Sequence, residues 1–171
     1  MTKRLTISLF GVLWCLFASS SVSQTNQVLK NMPLWFEANM GQYSEEVCFI
    51  SSGLEQTLWV TQKNILVYFN NAETITLQLL GTDASLSPEG KAAYEGKANY
   101  MQGDDRTKWV SGVPLFASVR CPSVYEGIDL FLHGTQGKLE YDFVLESFAE
   151  PSRIRMRFGG AERLFLDSAG N

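Results

Sequence analysis

The chain has 171 residues, with 14 Lys and Arg against 18 Asp and Glu, 45% hydrophobic residues and one His. This length fits one domain, and the composition is too apolar and too weakly charged for a disordered chain. The acidic balance argues against a nucleic-acid or anionic-membrane partner, since both need a basic protein face, and one His leaves little room for a His-rich metal site or a Ser-His-Asp triad.

The first 23 residues have the pattern of a signal peptide. Lys3 and Arg4 are basic, Leu5 to Ala18 are predominantly apolar, and small residues lead up to Ser23. This pattern predicts a leader helix over residues 1–23 that is cleaved after Ser23. The apolar run is shorter than the roughly 20 residues that span a bilayer, so no membrane span is expected after cleavage. We therefore expect a secreted or cell-surface protein.

Export changes how the cysteines are interpreted. Cys15 leaves with the leader, and Cys48 and Cys121 remain in an oxidising compartment. A disulfide between them would close a long loop and stabilise the fold by roughly 4 kcal/mol. The alternative is two separately buried thiols that behave as small hydrophobic residues.

Residues 24–46 are expected to form an extended lead-in and a first strand, and residues 47–171 the main domain. From Val47 onward hydrophobic and polar residues alternate with a period of two, between Gly, Asn, Asp and Pro. This pattern predicts an all-β fold, an antiparallel β-sandwich. The predicted strands are Val47–Ser51, Thr57–Thr61, Ile65–Asn70, Thr74–Leu80, Trp109–Ser111, Phe116–Arg120, Ile128–His133, Leu139–Leu145, Ile154–Phe158 and Arg163–Asp167.

Two further segments interrupt or end this pattern. Residues 89–94 and 95–100 are a tandem hexad, and two copies are too few for a solenoid, so they are interpreted as a surface connection. Turn residues follow the strand predicted at Arg163–Asp167, and no returning strand comes after them. Because a bare sheet edge invites association, the sequence is expected to be the front of a longer protein, truncated at its C-terminal end.

Several stretches in this order resemble one family. They are Phe36–Gln42, Asn99–Asp104 with Lys108 and Trp109, Val124–Leu130 with Leu139–Phe143, and Ile154–Phe158. Together they resemble the N-terminal domain of unknown function that precedes SBBP-type β-propeller repeats in exported bacterial proteins. The resemblance implies an all-β surface module followed by propeller or adhesion-type repeats, and it implies no known reaction, catalytic residue or cofactor.

The segment Gly134–Gly137 is predicted to be a four-residue hairpin loop. In that register His133 faces Lys138 and Asp129 faces Asp142. One face of the hairpin is then apolar and belongs to the core. The other carries three carboxylates, and a nearby cationic stripe could pair with them; these residues are Asp129, Glu140 and Asp142, with Arg153, Arg155 and Arg157.

Three interpretations of this acidic face remain open. It is a ladder of surface ion pairs, or a Ca²⁺ site built from oxygen ligands, or a pair of carboxylates that act as acid and base on a sugar. We favour the ladder because guanidinium groups and a cation compete for the same oxygens. No metal ligand set and no catalytic set is therefore assigned.

The second candidate site is aromatic. With Gln62 and Lys63 as a two-residue turn, Trp59 faces Leu66, and Tyr68 lies on the same face. The opposite face is also apolar, so the hairpin is either covered on both sides or it exposes a stacking platform for a sugar ring or a protein partner. Burial within a sandwich is the favoured interpretation.

These observations predict an exported structural or interaction module. The sequence contains no GxSxG, HExxH or P-loop motif, and this favours a non-enzyme. The first alternative is a carbohydrate-binding module that uses Trp59 and Tyr68. The second is a glycosidase-like enzyme that uses Asp129, Glu140 and Asp142. The expected partner is a surface glycan or a protein, together with propeller repeats beyond the end of the sequence.

Overall fold

A computed structural model describes residues 3–8, 34–53, 56–70, 73–82, 85–135 and 138–161 of the chain. These ranges contain two short 3₁₀ helices, at Arg106–Lys108 and Pro151–Arg153. None of the helices in the described residues is long and apolar enough to cross a membrane. The strands are β1 (Lys3–Ser8), β2 (Phe36–Ala38), β3 (Val47–Ser52), β4 (Gln56–Thr61), β5 (Ile65–Phe69), β6 (Thr74–Leu79), β7 (Glu89–Tyr100), β8 (Val110–Tyr125), β9 (Ile128–Thr135), β10 (Lys138–Leu145) and β11 (Met156–Gly159).

All eleven strands belong to one antiparallel sheet that is curled into a half-barrel. The strand order is β1-β10-β9-β8-β2-β3-β4-β5-β6-β11, and β7 pairs with β8 off this path. The all-β antiparallel prediction is confirmed, but one continuous sheet takes the place of two stacked layers. The 16-residue strand β8 explains the continuity, because it pairs with β2, β7 and β9.

The inner face of the curled sheet forms the hydrophobic core. Alternate residues of strands such as β4, β5, β9 and β10 point into it, as period-two patterning requires. The hydroxyl of Tyr125, at the end of β8, lies 2.9 Å from the carbonyl oxygens of both Leu80 and Arg155. These contacts connect β8 with the end of β6 and the start of β11. The side chains with the least exposure in this core include Phe36, Val60, Ile65, Val119, Ile128, Leu130, Leu132 and Phe143.

The amino-terminal strand differs from the expected leader helix. Residues Lys3–Ser8 form β1 and pair antiparallel with β10, with Lys3 opposite Leu145 and Ser8 opposite Glu140. Residues 9–23, which make up the rest of the predicted leader, lie outside the described residues. So does the strand predicted at Arg163–Asp167.

The tandem hexad forms strand β7 rather than a surface connection. It pairs with β8 from Glu89, opposite Arg120, to Tyr100, opposite Val110. Gly90 is required in this strand because a Cβ there would lie 2.5 Å from the ring of Phe116. Glycine therefore allows close packing here and does not mark a turn.

Candidate functional site

The face of the sheet opposite the core carries a row of side chains that runs across four strands. Glu37 on β2 lies opposite Ile50 on β3, Ile50 lies opposite Trp59 on β4, and Trp59 lies opposite Leu66 on β5. Ile50 is only 1% exposed although it does not belong to the main core cluster. Larger side chains therefore cover this part of the outer face.

Five aromatic residues and one carboxylate gather along this row, and we call them the aromatic–carboxylate patch. The ring centroids of Trp59 and Tyr68 lie 5.0 Å apart, and those of Tyr43 and Trp59 lie 6.0 Å apart. Tyr100 adds an edge-on contact to Tyr43 at 5.9 Å. All five aromatic side chains are half-buried, so they are held in place and still reach the surface. The patch consists of Trp35, Glu37, Tyr43, Trp59, Tyr68 and Tyr100.

Glu37 is the polar centre of the patch and is 9% exposed. Its Oε1 accepts a hydrogen bond from the indole N–H of Trp35 at 3.1 Å, and its Oε2 accepts one from the hydroxyl of Tyr100. No Lys, Arg or His side chain forms an ion pair with Glu37 among the described residues. The carboxylate is therefore held by neutral donors alone.

The loop that follows β2 positions Tyr43. Asn39 organises this loop, because its amide N–H groups donate to the carbonyl oxygens of Tyr43, Ser44 and Val47, and its Oδ1 accepts from the backbone N–H of Gly41 and Tyr43. Gly41 takes a φ of 108°, which favours glycine. The hydrogen bonds of Asn39 and the backbone conformation of Gly41 therefore fix the turn that places Tyr43 in the patch.

Tyr100 is the last residue of β7 and comes 57 residues after Tyr43 in the sequence. Its hydroxyl lies 3.3 Å from that of Tyr43, in addition to its bond with Glu37. Burial, the hydrogen bonds to Glu37 and Tyr43, and the nearby Glu37 charge raise the pKa of Tyr100 above its usual range. Tyr100 therefore stays a neutral donor to the carboxylate.

The sequence predicted part of this site. The register of the β4–β5 hairpin is confirmed, with Thr57 opposite Tyr68 and Trp59 opposite Leu66. Trp59 and Tyr68 are half-buried on the outer face, between the two outcomes considered for them. The contributions of Trp35, Glu37, Tyr43 and Tyr100 were missed, although the resembling stretches Phe36–Gln42 and Asn99–Asp104 contain two of them.

The predicted register of the acidic hairpin is wrong by two residues. Residues 136–137 separate β9 from β10, Thr135 lies opposite Lys138, and Asp142 lies opposite Phe131 rather than Asp129. Gly134 lies inside β9 and not in the loop. Glycine is required there because a Cβ would lie 2.4 Å from the Cβ of Leu34. A shift of two preserves the faces, so the apolar set still points into the core.

The three carboxylates of this hairpin have two basic neighbours: Arg120 pairs with Asp129, and His133 lies between Asp142 and Glu140. Asp129 receives the guanidinium of Arg120 at 2.7 Å and the backbone N–H of Ser123 at 2.8 Å. Asp142 is fully buried and lies 3.0 Å from Nε2 of His133, whose Nδ1 is 3.8 Å from Glu140. The carboxylates are those of the predicted ladder, but their basic neighbours are Arg120 and His133 rather than the predicted arginines.

The predicted arginine stripe does not reach these carboxylates. Arg153 pairs with Glu126 at 2.9 Å and with Glu150 at 3.6 Å. Arg155 and Arg157 are exposed. Within the described ranges no group of three or more His, Cys, Asp or Glu side chains is arranged to hold a metal ion.

The two cysteines are present as free thiols, Cys48 half-buried and Cys121 buried. Burial raises the pKa of Cys121 to about 12, and the charge of the nearby Cys48 adds to this effect. Burial also raises the pKa of Cys48. Such thiols are poor nucleophiles, and the disulfide between them stays a prediction.

Comparison with known proteins identifies one family. The family described as a domain of unknown function, DUF7948, matches residues 36–171. No curated protein and no solved structure matches the chain. The matched residues contain strands β2 to β11 and the whole aromatic–carboxylate patch except Trp35.

Proposed function

Because the chain belongs to the DUF7948 family, whose description assigns no activity, we propose a function from the site itself. The protein is a non-catalytic binding module of an exported bacterial protein, and it binds a saccharide at the aromatic–carboxylate patch. This proposal makes the carbohydrate-binding alternative the working function of the interaction module. The resemblance to domains that precede SBBP-type propeller repeats supports a place ahead of such repeats at the cell surface.

The observation that carries the proposal is the ring pair of Trp59 and Tyr68 on the outer face. The two rings are 5.0 Å apart, half-buried, and held by a hairpin whose other face is in the core. Rings fixed in this way offer apolar faces on which a sugar ring can stack, with little conformational entropy lost on binding. Glu37 supplies acceptors for hydroxyl groups beside them.

The acidic hairpin gives less support to catalysis or calcium binding than the aromatic–carboxylate patch gives to saccharide binding. Asp129 already carries a guanidinium, and Asp142 already carries an imidazole. Two carboxylates that cleave a glycosidic bond must both face the substrate, and a Ca²⁺ ion needs six to eight oxygens. The structural pairing of these groups favours the binding module over the enzyme.

A glycan array tests the proposal. The full chain should bind at least one class of polysaccharide, and Trp59→Ala and Tyr68→Ala should each weaken that binding at least tenfold. Tyr94→Ala is the matched control, because Tyr94 is 42% exposed on β7 and lies outside the patch. Binding that survives both patch substitutions in folded protein, or no binding to any glycan, overturns the proposal.

Export is tested separately by expression of the full gene in a bacterial host. The mass of the secreted product should correspond to a chain that begins at Gln24. Retention in the cytoplasm with residues 1–23 intact contradicts the export proposal.

A further inference from the structure

We propose that the aromatic–carboxylate patch selects saccharides that carry a free ammonium group, such as oligomers of 2-amino-2-deoxy sugars. This inference rests on the proposed function and names the substrate class of the same site. It follows from the hydrogen-bond partners of Glu37, which are neutral, whereas Asp129 and Asp142 on the outer face have basic partners.

The first step concerns charge. Asp129 is neutralised by Arg120 at 2.7 Å, and Asp142 has His133 at 3.0 Å. Glu37 is 9% exposed, yet only the neutral N–H of Trp35 and the neutral hydroxyl of Tyr100 bond to it in the described structure. A largely desolvated carboxylate without a counter-charge is stabilised when a cation arrives.

The second step concerns hydrogen-bonding capacity. A carboxylate offers about four acceptor positions, and the described contacts of Glu37 use two of them. An ammonium group carries three N–H donors, so it matches the remaining acceptors better than a hydroxyl group, which carries one. Both kinds of donor form charge-assisted hydrogen bonds with a carboxylate, but only the ammonium group adds the attraction between opposite charges, which is strong where water is excluded.

The third step concerns the rings. Trp59, Tyr43 and Tyr68 form a connected chain of aromatic contacts, which Tyr100 links to the carboxylate of Glu37. Each ring has a negative face, and a cation over such a face is attracted to it, most strongly over Trp. Rings and carboxylate therefore favour the same ligand charge, while the apolar ring faces retain the stacking surface for the sugar.

The fourth step concerns the approach of the ligand. The whole chain has an excess of acidic residues, 18 against 14 basic ones. A negative field around the site raises the local concentration of a cationic ligand and accelerates its binding.

The experiment is isothermal titration calorimetry of the full chain with three matched hexamers, of glucosamine, N-acetylglucosamine and glucose. We expect the glucosamine hexamer to bind at least tenfold more tightly than the other two. Glu37→Gln, which keeps the size of the side chain, should reduce that preference to less than threefold. Glu45→Gln makes the same change in net charge at an exposed position and should keep the preference.

The outcomes separate the two proposals. Equal binding of all three hexamers, unaffected by Glu37→Gln, overturns the ammonium inference and leaves saccharide binding in place. A preference that falls equally in Glu37→Gln and Glu45→Gln also overturns it, because net charge would then explain the selectivity. No binding of any hexamer or of the glycan array overturns the proposed function itself. A thermal melt within a few degrees of the wild type establishes that each variant is folded.

Discussion

Two regions of the outer face hold carboxylates in opposite ways. On β8 to β10, Asp129 and Asp142 have basic partners within the protein, Arg120 and His133. On β2, Glu37 is surrounded by aromatic rings and bonded by neutral donors. A carboxylate with a built-in basic partner is complete without a ligand, whereas one held by neutral groups can still gain from a cation.

The difference also separates stability from binding. Removal of a hydrogen-bond partner from a buried carboxylate is costly because water cannot take its place, so the acidic hairpin should be sensitive in stability measurements. The patch should be less sensitive, because neither of the two donors to Glu37 carries a charge that a substitution of Glu37 would leave unpaired. Three substitutions test this contrast.

The largest effect is expected for His133→Ala. The substitution removes the imidazole 3.0 Å from Asp142, whose side chain is 1% exposed, and should lower the free energy of unfolding by about 3 kcal/mol. Urea denaturation at neutral pH measures the change. Glu140→Gln, at 3.8 Å from the same imidazole and 24% exposed, is the control and should cost less than about 1 kcal/mol. Equal costs for both variants would show that the burial of Asp142 does not depend on His133.

The two faces of the β9–β10 hairpin were predicted correctly from its alternating pattern. The wrong register of this hairpin and the wrong interpretation of the tandem hexad have one physical cause. Gly134 and the glycines of the tandem hexad were interpreted as turn or surface residues. In the structure Gly134 and Gly90 lie in strands. Glycine is required at both positions because Leu34 and Phe116 approach their backbones too closely for a Cβ. A glycine required by a distant side chain has the same local sequence signal as a glycine required by a turn.

The aromatic patch shows the same limit of local reasoning. The β4–β5 hairpin was predicted correctly because a two-residue turn fixes the register between neighbouring strands. Tyr43 and Tyr100 are 57 residues apart, and their contact depends on how β7 and β8 fold back against β2. Alternation also describes one curled sheet and two stacked sheets equally well, since both have one inner face. The structure contains one curled sheet because β8 continues without a break through Pro114 and pairs with β2, β7 and β9.

An intermediate effect is expected for Arg120→Met, which keeps an unbranched apolar side chain and removes the guanidinium. The ion pair is only partly buried, with side chains 34% and 21% exposed, so its loss should cost about 1 kcal/mol. A double-mutant cycle with Asp129→Asn measures the coupling, which should shrink in 1 M salt. Zero coupling at low salt would remove Asp129 from the group of charge-paired carboxylates and weaken the comparison.

The smallest effect on stability is expected for Glu37→Gln. The amide oxygen can still accept from Trp35, and the hydroxyl of Tyr100 can turn toward Tyr43 at 3.3 Å while it accepts from the new N–H group. No cation loses its partner among the described residues, so the free energy of unfolding should change by less than about 1 kcal/mol. Glu37→Leu, which leaves both donors without an acceptor, should cost about 1–3 kcal/mol. A loss of 3 kcal/mol or more in Glu37→Gln would mean that the negative charge of Glu37 holds the fold together, as in the acidic hairpin, and the patch would then be structural.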